Sequence, residues 1–179
     1  PKGKLLTIKH PSDVWRVTVS PYSKRFATAA GDGFARIYDA PGGNLVATTN
    51  VQEKNIWQLK FSPDGRYLVT ASGDSNSTSA KIWNAETGVE ILSFIGHTDR
   101  VRALDFSPDG RLLATGSRDG TIRIWNAATG AEIKKLAVED TGKPLETHDL
   151  KFTPHRRRPV TPNRRRPPGP ADESGTHLR

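Results

Sequence analysis

An all-β chain made of repeated four-stranded antiparallel sheets is the fold class this sequence predicts, on three observations. First, a block of 19 residues occurs three times: "VWRVTVSPYSKRFATAAGD" from Val14, "IWQLKFSPDGRYLVTASGD" from Ile56 and "VRALDFSPDGRLLATGSRD" from Val101. Second, the copies start 42 and 45 residues apart, the longer spacing coming from three extra residues in "GDSNSTSAKIW" relative to "RDGTIRIW". Third, apolar and polar residues alternate within each copy between strong turn signals, the pattern of half-buried strands. A period of about 40 to 45 residues with four strands per period is that of a propeller blade.

The elements follow in order. Residues 4–8 read as the outer strand of a blade whose other strands would precede Pro1, and three full blades follow at about 13–49, 55–95 and 100–137. In the third, strands are predicted over 101–106, 112–116, 121–125 and 132–136. Ser-Pro-Asp-Gly at 62–65 and 107–110 supplies a proline where φ near −65° is wanted and a glycine where φ turns positive. Asp119-Gly120 and Thr129-Gly130 close the next two connections. A fourth blade opens with "THDLKFTP", which aligns with "VRALDFSP" and predicts a strand over 147–153, but nothing after Pro154 continues the repeat. Three blades cannot close a ring. The expectation is therefore a partial propeller, a piece of a larger protein, whose open faces and edges allow self-association.

Charge separates the body from the tail. The chain of 179 residues carries a net +8; residues 155–179 hold seven arginines against Asp172 and Glu173, a net +5, which leaves +3 for the remainder. Six prolines from residue 154 to 170 remove backbone donors and disfavour helix, so the tail is expected to be extended and disordered, reading as the lost ending of blade four, with a linker as the alternative. Its arginines support an alternative reading as a nucleic-acid grip, but any arginine cluster attracts polyanions weakly at low salt. There is no cysteine, hence no disulfide or thiol nucleophile, and no apolar run approaches the roughly 20 residues that span a bilayer. A soluble, cytoplasmic protein is expected.

The third copy, from Gly96-His97 through Trp125, resembles the WD-repeat family, with Trp-Asn at 83–84 and 125–126 and Tyr-Asp at 38–39 in place of the family's Trp-Asp. The resemblance covers about residues 4–154 and implies a buried hydrogen-bond chain in each blade: Trp125 to Thr115, Thr115 to His97, His97 to Asp119. The first copy has His10, Thr28, Asp32 and Tyr38 for the same purpose; the second has Thr70, Asp74 and Trp83, with Gln52 where a histidine belongs. Blade three is expected to be the best knit. A nucleophilic triad is the rival reading of His, Asp and hydroxyl, but a set that recurs once per repeat beneath a tryptophan is structural. "DSNST" from Asp74 has a faint calcium-ligand spacing, without the glycine and glutamate an EF-hand loop needs. No catalytic site, metal or cofactor is expected.

What remains is surface. The resemblance implies that the second residue of each innermost strand stands on the face that grips partners: Trp15, Trp57, Arg102 and, in the fourth copy, His148, with Asp13, Asn55, Arg100 and Arg118 beside them. Tryptophan and arginine are the types most enriched in binding hot spots. The rival reading is that the tryptophans only pad contacts between blades. The implied function is a noncatalytic scaffold or regulatory module that binds a protein partner, such a face suiting an acidic or aromatic peptide. A propeller enzyme is the weaker alternative, because it needs one polar constellation outside the repeat pattern.

Overall fold

The computed structural model describes residues 6–50, 55–73, 79–138 and 150–153. Within them twelve strands form three four-stranded sheets, each antiparallel and each in simple sequence order. Sheet one comprises β1 (Val14–Val19), β2 (Arg25–Ala30), β3 (Ala35–Asp39) and β4 (Leu45–Thr48). Sheet two comprises β5 (Ile56–Phe61), β6 (Tyr67–Ser72), β7 (Ser79–Asn84) and β8 (Glu90–Ile95). Sheet three comprises β9 (Val101–Phe106), β10 (Leu112–Ser117), β11 (Thr121–Asn126) and β12 (Glu132–Ala137). The strands predicted for the third copy agree with these to within one residue at each end.

Short polar turns set the hairpins. Ser62 Oγ accepts from the Tyr67 amide (3.0 Å) and donates to Asp64 Oδ1 (2.6 Å), while Gly65 takes the left-handed position at φ 72°. Ser107, Asp109 and Gly110 repeat this geometry between β9 and β10. Sheet one departs from it. Its turn reads Ser-Pro-Tyr-Ser, and both Tyr22 (φ 65°) and Ser23 (φ 53°) are left-handed inside a single 3-10 turn, Pro21–Ser23. A non-glycine side chain in that region clashes with its own backbone, and two in succession store about 1 kcal/mol or more. Replacing the pair with the Asp-Gly of the other turns (Tyr22→Asp with Ser23→Gly) is expected to raise stability by about 1 kcal/mol. A urea midpoint unchanged or lowered by this double substitution would show that the turn is not strained.

The sheets stack face to face. Ala27, Ala29 and Ile37 of sheet one join Ile56, Leu59 and Phe61 of sheet two in one buried cluster; Val69, Ala71 and Ile82 of sheet two join Val101, Leu104 and Phe106 of sheet three in a second. Each large aliphatic or aromatic side chain so buried contributes about 1.5–3 kcal/mol. β1, β5 and β9 stand side by side and carry the main contacts between sheets. The repeat positions of Leu59 and Phe61, 3% and 6% exposed, are held in β1 by Val17 and Val19, which are 62% and 56% exposed. One face of sheet one is therefore uncovered by the described residues.

The two expected flanking strands, 4–8 and 147–153, are described only in part. Residues 6–8 and 150–153 carry no strand pairing, because no described strand lies alongside either to complete a ladder. Both still pack against the sheets: Leu6 and Ile8 lie over Gly43, and the Phe152 amide donates to Asp105 Oδ2 (2.8 Å). The tail 155–179, together with Gln52, Asp74 and His148, lies outside the described residues. No described helix is long and apolar enough to cross a membrane.

Candidate functional site

The buried network in sheet three is complete. Trp125 Nε1 donates to Thr115 Oγ1 (2.8 Å), Thr115 Oγ1 meets His97 Nε2 (2.7 Å), and His97 Nδ1 meets Asp119 Oδ2 (2.8 Å). An ionised Asp119 can only accept, so His97 Nδ1 carries the proton; in the neutral ring Nε2 then accepts from the Thr115 hydroxyl, whose oxygen accepts from the indole. Asp119 also accepts from the Thr98 amide (3.0 Å), the Thr121 amide (2.9 Å) and the Thr121 hydroxyl (2.6 Å). Burial alone would raise its pKa, but these donors overcome it and hold the carboxyl down at about 2. Burial lowers the His97 pKa against the pull of Asp119, consistent with the neutral ring.

A pH dependence follows, with one sign for both groups. Each has a folded pKa below its unfolded one, so each contributes stability that is complete above the unfolded value and is lost on acidification. Stability is expected to decline as pH falls below about 6.5 as His97 resists protonation, then by a further amount of about 2 kcal/mol between roughly pH 4 and 2 as Asp119 takes up its proton. Urea midpoints measured from pH 8 to 2 check this. A midpoint that rises on acidification contradicts the assigned protonation states.

In sheet two, Trp83 Nε1 donates to Thr70 Oγ1 (2.8 Å), with Trp83 fully buried. Sheet one departs from the expected chain. His10 and Tyr38 meet edge to face at 5.9 Å, but His10 Nδ1 and Thr28 Oγ1 are buried without a hydrogen-bond partner. Burial raises the Tyr38 phenol pKa against opposing pulls from Arg36 and Thr28. Asp32 takes Arg36 on both oxygens (3.2 and 2.6 Å), a pairing that lowers its pKa.

The physical reason lies one strand further out. At the repeat position of Arg36, Lys81 pairs with Glu90 (2.9 Å) and Arg123 pairs with Glu132 (2.5 Å); at the position of those glutamates sheet one has Leu45. Without its cross-strand carboxylate Arg36 captures Asp32, and the histidine loses its acceptor. Leu45→Glu is expected to draw Arg36 back to β4 and release Asp32 to His10, whose pKa, now lowered by burial and by the Arg36 charge, then rises. Titration of the His10 ring by NMR in both proteins measures this; an unchanged pKa would disconnect Leu45 from the network.

The second constellation lies on the surface. Each innermost strand carries a bulge at its second residue: pairing passes from Val14 to Arg16, from Ile56 to Gln58 and from Val101 to Ala103, skipping Trp15, Trp57 and Arg102. A bulge leaves one residue out of the ladder and re-aims its side chain. All three are thereby turned onto one end of the sheets. The Trp15 and Trp57 rings lie 5.7 Å apart, and the Arg102 and Arg100 guanidinium groups lie 5.1 and 6.0 Å from the centre of the Trp57 ring. Trp57 Nε1 is anchored on the Gly73 carbonyl (2.9 Å), and Trp15 is 41% exposed. Arg118 joins the group through its amide, which donates to the Arg100 carbonyl (3.0 Å).

Asp13 is exposed at the mouth of β1, its carbonyl accepting from Gly31, and Asn55 precedes β5 in the left-handed conformation (φ 81°). Arg16 is the residue that sequence reasoning missed. Its Nε donates to the Trp57 carbonyl (3.0 Å) and its Nη1 to the Trp15 carbonyl (3.2 Å), clamping sheets one and two at a hollow of about 320 Å³ lined by both tryptophans and Ile56. Another signal was present in the repeats: the residue after the second strand is Gly31 and Gly73 where the bulged residue is tryptophan, and Arg118 where it is arginine. A Cβ on Gly73 would fall 2.7 Å from Arg100 Cα, so the approach of Arg100 to Trp57 requires that glycine. None of Arg100, Arg102 and Arg118 has a carboxylate within 4.0 Å among the described residues, and Arg102 Nε is buried without a partner. Among those residues no group of His, Asp and Glu could hold a metal ion.

Comparison with known proteins bears on the family and the fold. The chain is 37% identical over 147 residues to pre-mRNA-processing factor 19 homolog 2 of Arabidopsis thaliana, covering 81% of this chain and 26% of that protein. It is 28% identical over 137 residues to serine-threonine kinase receptor-associated protein of Gallus gallus, covering 76% and 38%. It thus spans between about a quarter and two fifths of these relatives. The solved structure of U3-55K superposes with a TM-score of 0.67 over 73% of this chain and 41% of that one, at 21% identity, a likeness of fold. The model of the WD domain, G-beta repeat, matches residues 3–39, 43–84 and 88–126, and with three such matches along it this chain belongs to the WD-repeat family.

Proposed function

We propose that the chain is a noncatalytic scaffold module that binds a protein partner on the face formed by Trp15, Trp57, Arg100, Arg102 and Arg118. The observation that carries the reading is the repeated bulge at the same position of three successive sheets, with exposed aromatic area beside the Arg100 and Arg102 guanidinium groups, which have no carboxylate partner among the described residues. Hot spots are built this way, from large rigid side chains with a polar handle at the centre of a desolvated patch. The excess of arginine over Asp13 selects an acidic peptide, and the free area of Trp15 selects an aromatic or aliphatic residue within it.

The test is a binding screen of the whole chain against an array of short peptides that vary acidic content and aromatic content independently. Peptides with both features are expected to bind best, with affinity falling as salt is raised. Selection of basic or purely polar peptides would overturn the reading.

A further inference from the structure

A groove of about 500 Å³ runs between sheets two and three at the end opposite the tryptophan and arginine face. Its wall is aromatic and proline-rich: Tyr22, Tyr67, Pro63 and Pro108 stand with Ile82 and Ile91, and the charged residues lining it are Asp64 and Asp109. Tyr22 is the anomaly. It is 85% exposed and left-handed, and it occupies the repeat position that Asp64 and Asp109 fill in the other turns. An exposed aromatic ring held on a strained turn contributes nothing to the core; its place at the mouth of this groove is where a ligand would use it.

A groove lined by tyrosine and proline rings with carboxylates among them is the surface that receives a polyproline helix with a flanking arginine, because that helix has three residues per turn and lays every third side chain on one side. The chain itself contains this ligand. "RPVTP" at residues 158–162 places Pro159 and Pro162 three apart with Arg158 before them, and "RPPGP" at 166–170 repeats the spacing. The segment also starts within reach. The Phe152 amide is bonded to Asp105, next to the Ser107–Gly110 turn that forms one wall of the groove, and the five residues from Pro154 to Pro159 cover about 15 Å when extended. Such docking needs neither strand nor helix, which the prolines oppose.

We infer that residues 158–162 dock as a polyproline turn in the groove of the same chain, Pro159 and Pro162 against the Tyr22 and Tyr67 rings and Arg158 toward Asp109 or Asp64. The inference concerns a different face from the partner site and stands or falls independently of it.

The experiment is proton NMR on the whole chain, whose three tyrosines make ring assignments tractable. Nuclear Overhauser contacts are expected between the Tyr22 and Tyr67 rings and the side chains of Pro159 and Pro162, unchanged on dilution. Pro159→Ala with Pro162→Ala, outside the folded sheets, should abolish them. So should Tyr22→Asp with Ser23→Gly, which restores the turn used by the other sheets and keeps the dispersed strand signals of a folded protein. Absence of these contacts in the unaltered chain, their survival in the proline variant, or their loss on dilution would each overturn the inference, the last by assigning the contact to a second copy.

Discussion

Asp119→Ala is expected to destabilise the protein by about 2–3 kcal/mol, and His97→Ala by about 1–2 kcal/mol. The difference follows from what each leaves behind. Removing the carboxylate strands the His97 Nδ1–H, the Thr98 and Thr121 amides and the Thr121 hydroxyl together. Removing the imidazole strands Thr115, which still accepts from Trp125, and leaves Asp119 its other three donors. His10→Ala should cost less than either, because its Nδ1 is already without a partner. Urea denaturation of the three variants checks the order, and equal midpoints would contradict it. Gln52 stands at the histidine position of the second copy and lies outside the described residues; on the sequence pattern alone, Gln52→Ala is expected to cost less than His97→Ala.

Trp57→Ala is expected to weaken partner binding by roughly 2 kcal/mol or more, the largest loss of any single truncation on the face. Trp57 stands at the centre: Trp15 and two guanidinium groups lie close to its ring, and its carbonyl holds Arg16. Arg102→Ala should cost somewhat less and reduce the salt dependence; Arg102→Lys should recover the charge but not the planar stacking on the indole. Calorimetric titration with the best peptide of the array measures all three. Wild-type affinity in Trp57→Ala would place the partner elsewhere, on the outer strands.

Sheet three could be read from the sequence almost in full, because its turns, apolar alternation and polar quartet all follow the repeat pattern. The failure of the sheet-one network could not. It turns on Leu45 in place of a glutamate, and that substitution matters only once the register of β3 against β4 sets position 45 opposite Tyr38, two residues along the strand from Arg36, as Glu90 and Glu132 stand opposite Trp83 and Trp125. The bulges were equally hidden, since alternation along a strand does not reveal which residue is skipped by its neighbour. The sequence singled out Trp15, Trp57 and Arg102 through the family resemblance, but the reason they share a face is the backbone irregularity beneath each. Residues 6–8 and 150–153 show the opposite limit: alternation alone suggests strands there, yet pairing needs a neighbour.

The four tryptophans report on the structural and the binding halves of the account at once, each through its indole N–H. In a two-dimensional proton–nitrogen NMR experiment the Trp83 and Trp125 indole protons, bonded to Thr70 and Thr115 inside the sheets, should exchange with solvent only through unfolding, whereas that of Trp15 should exchange fast. On titration with the best-binding acidic peptide, the Trp15 and Trp57 signals should shift while those of Trp83 and Trp125 stay fixed. Saturating binding that leaves Trp15 and Trp57 unmoved would contradict the claim that the bulged face is the site of recognition.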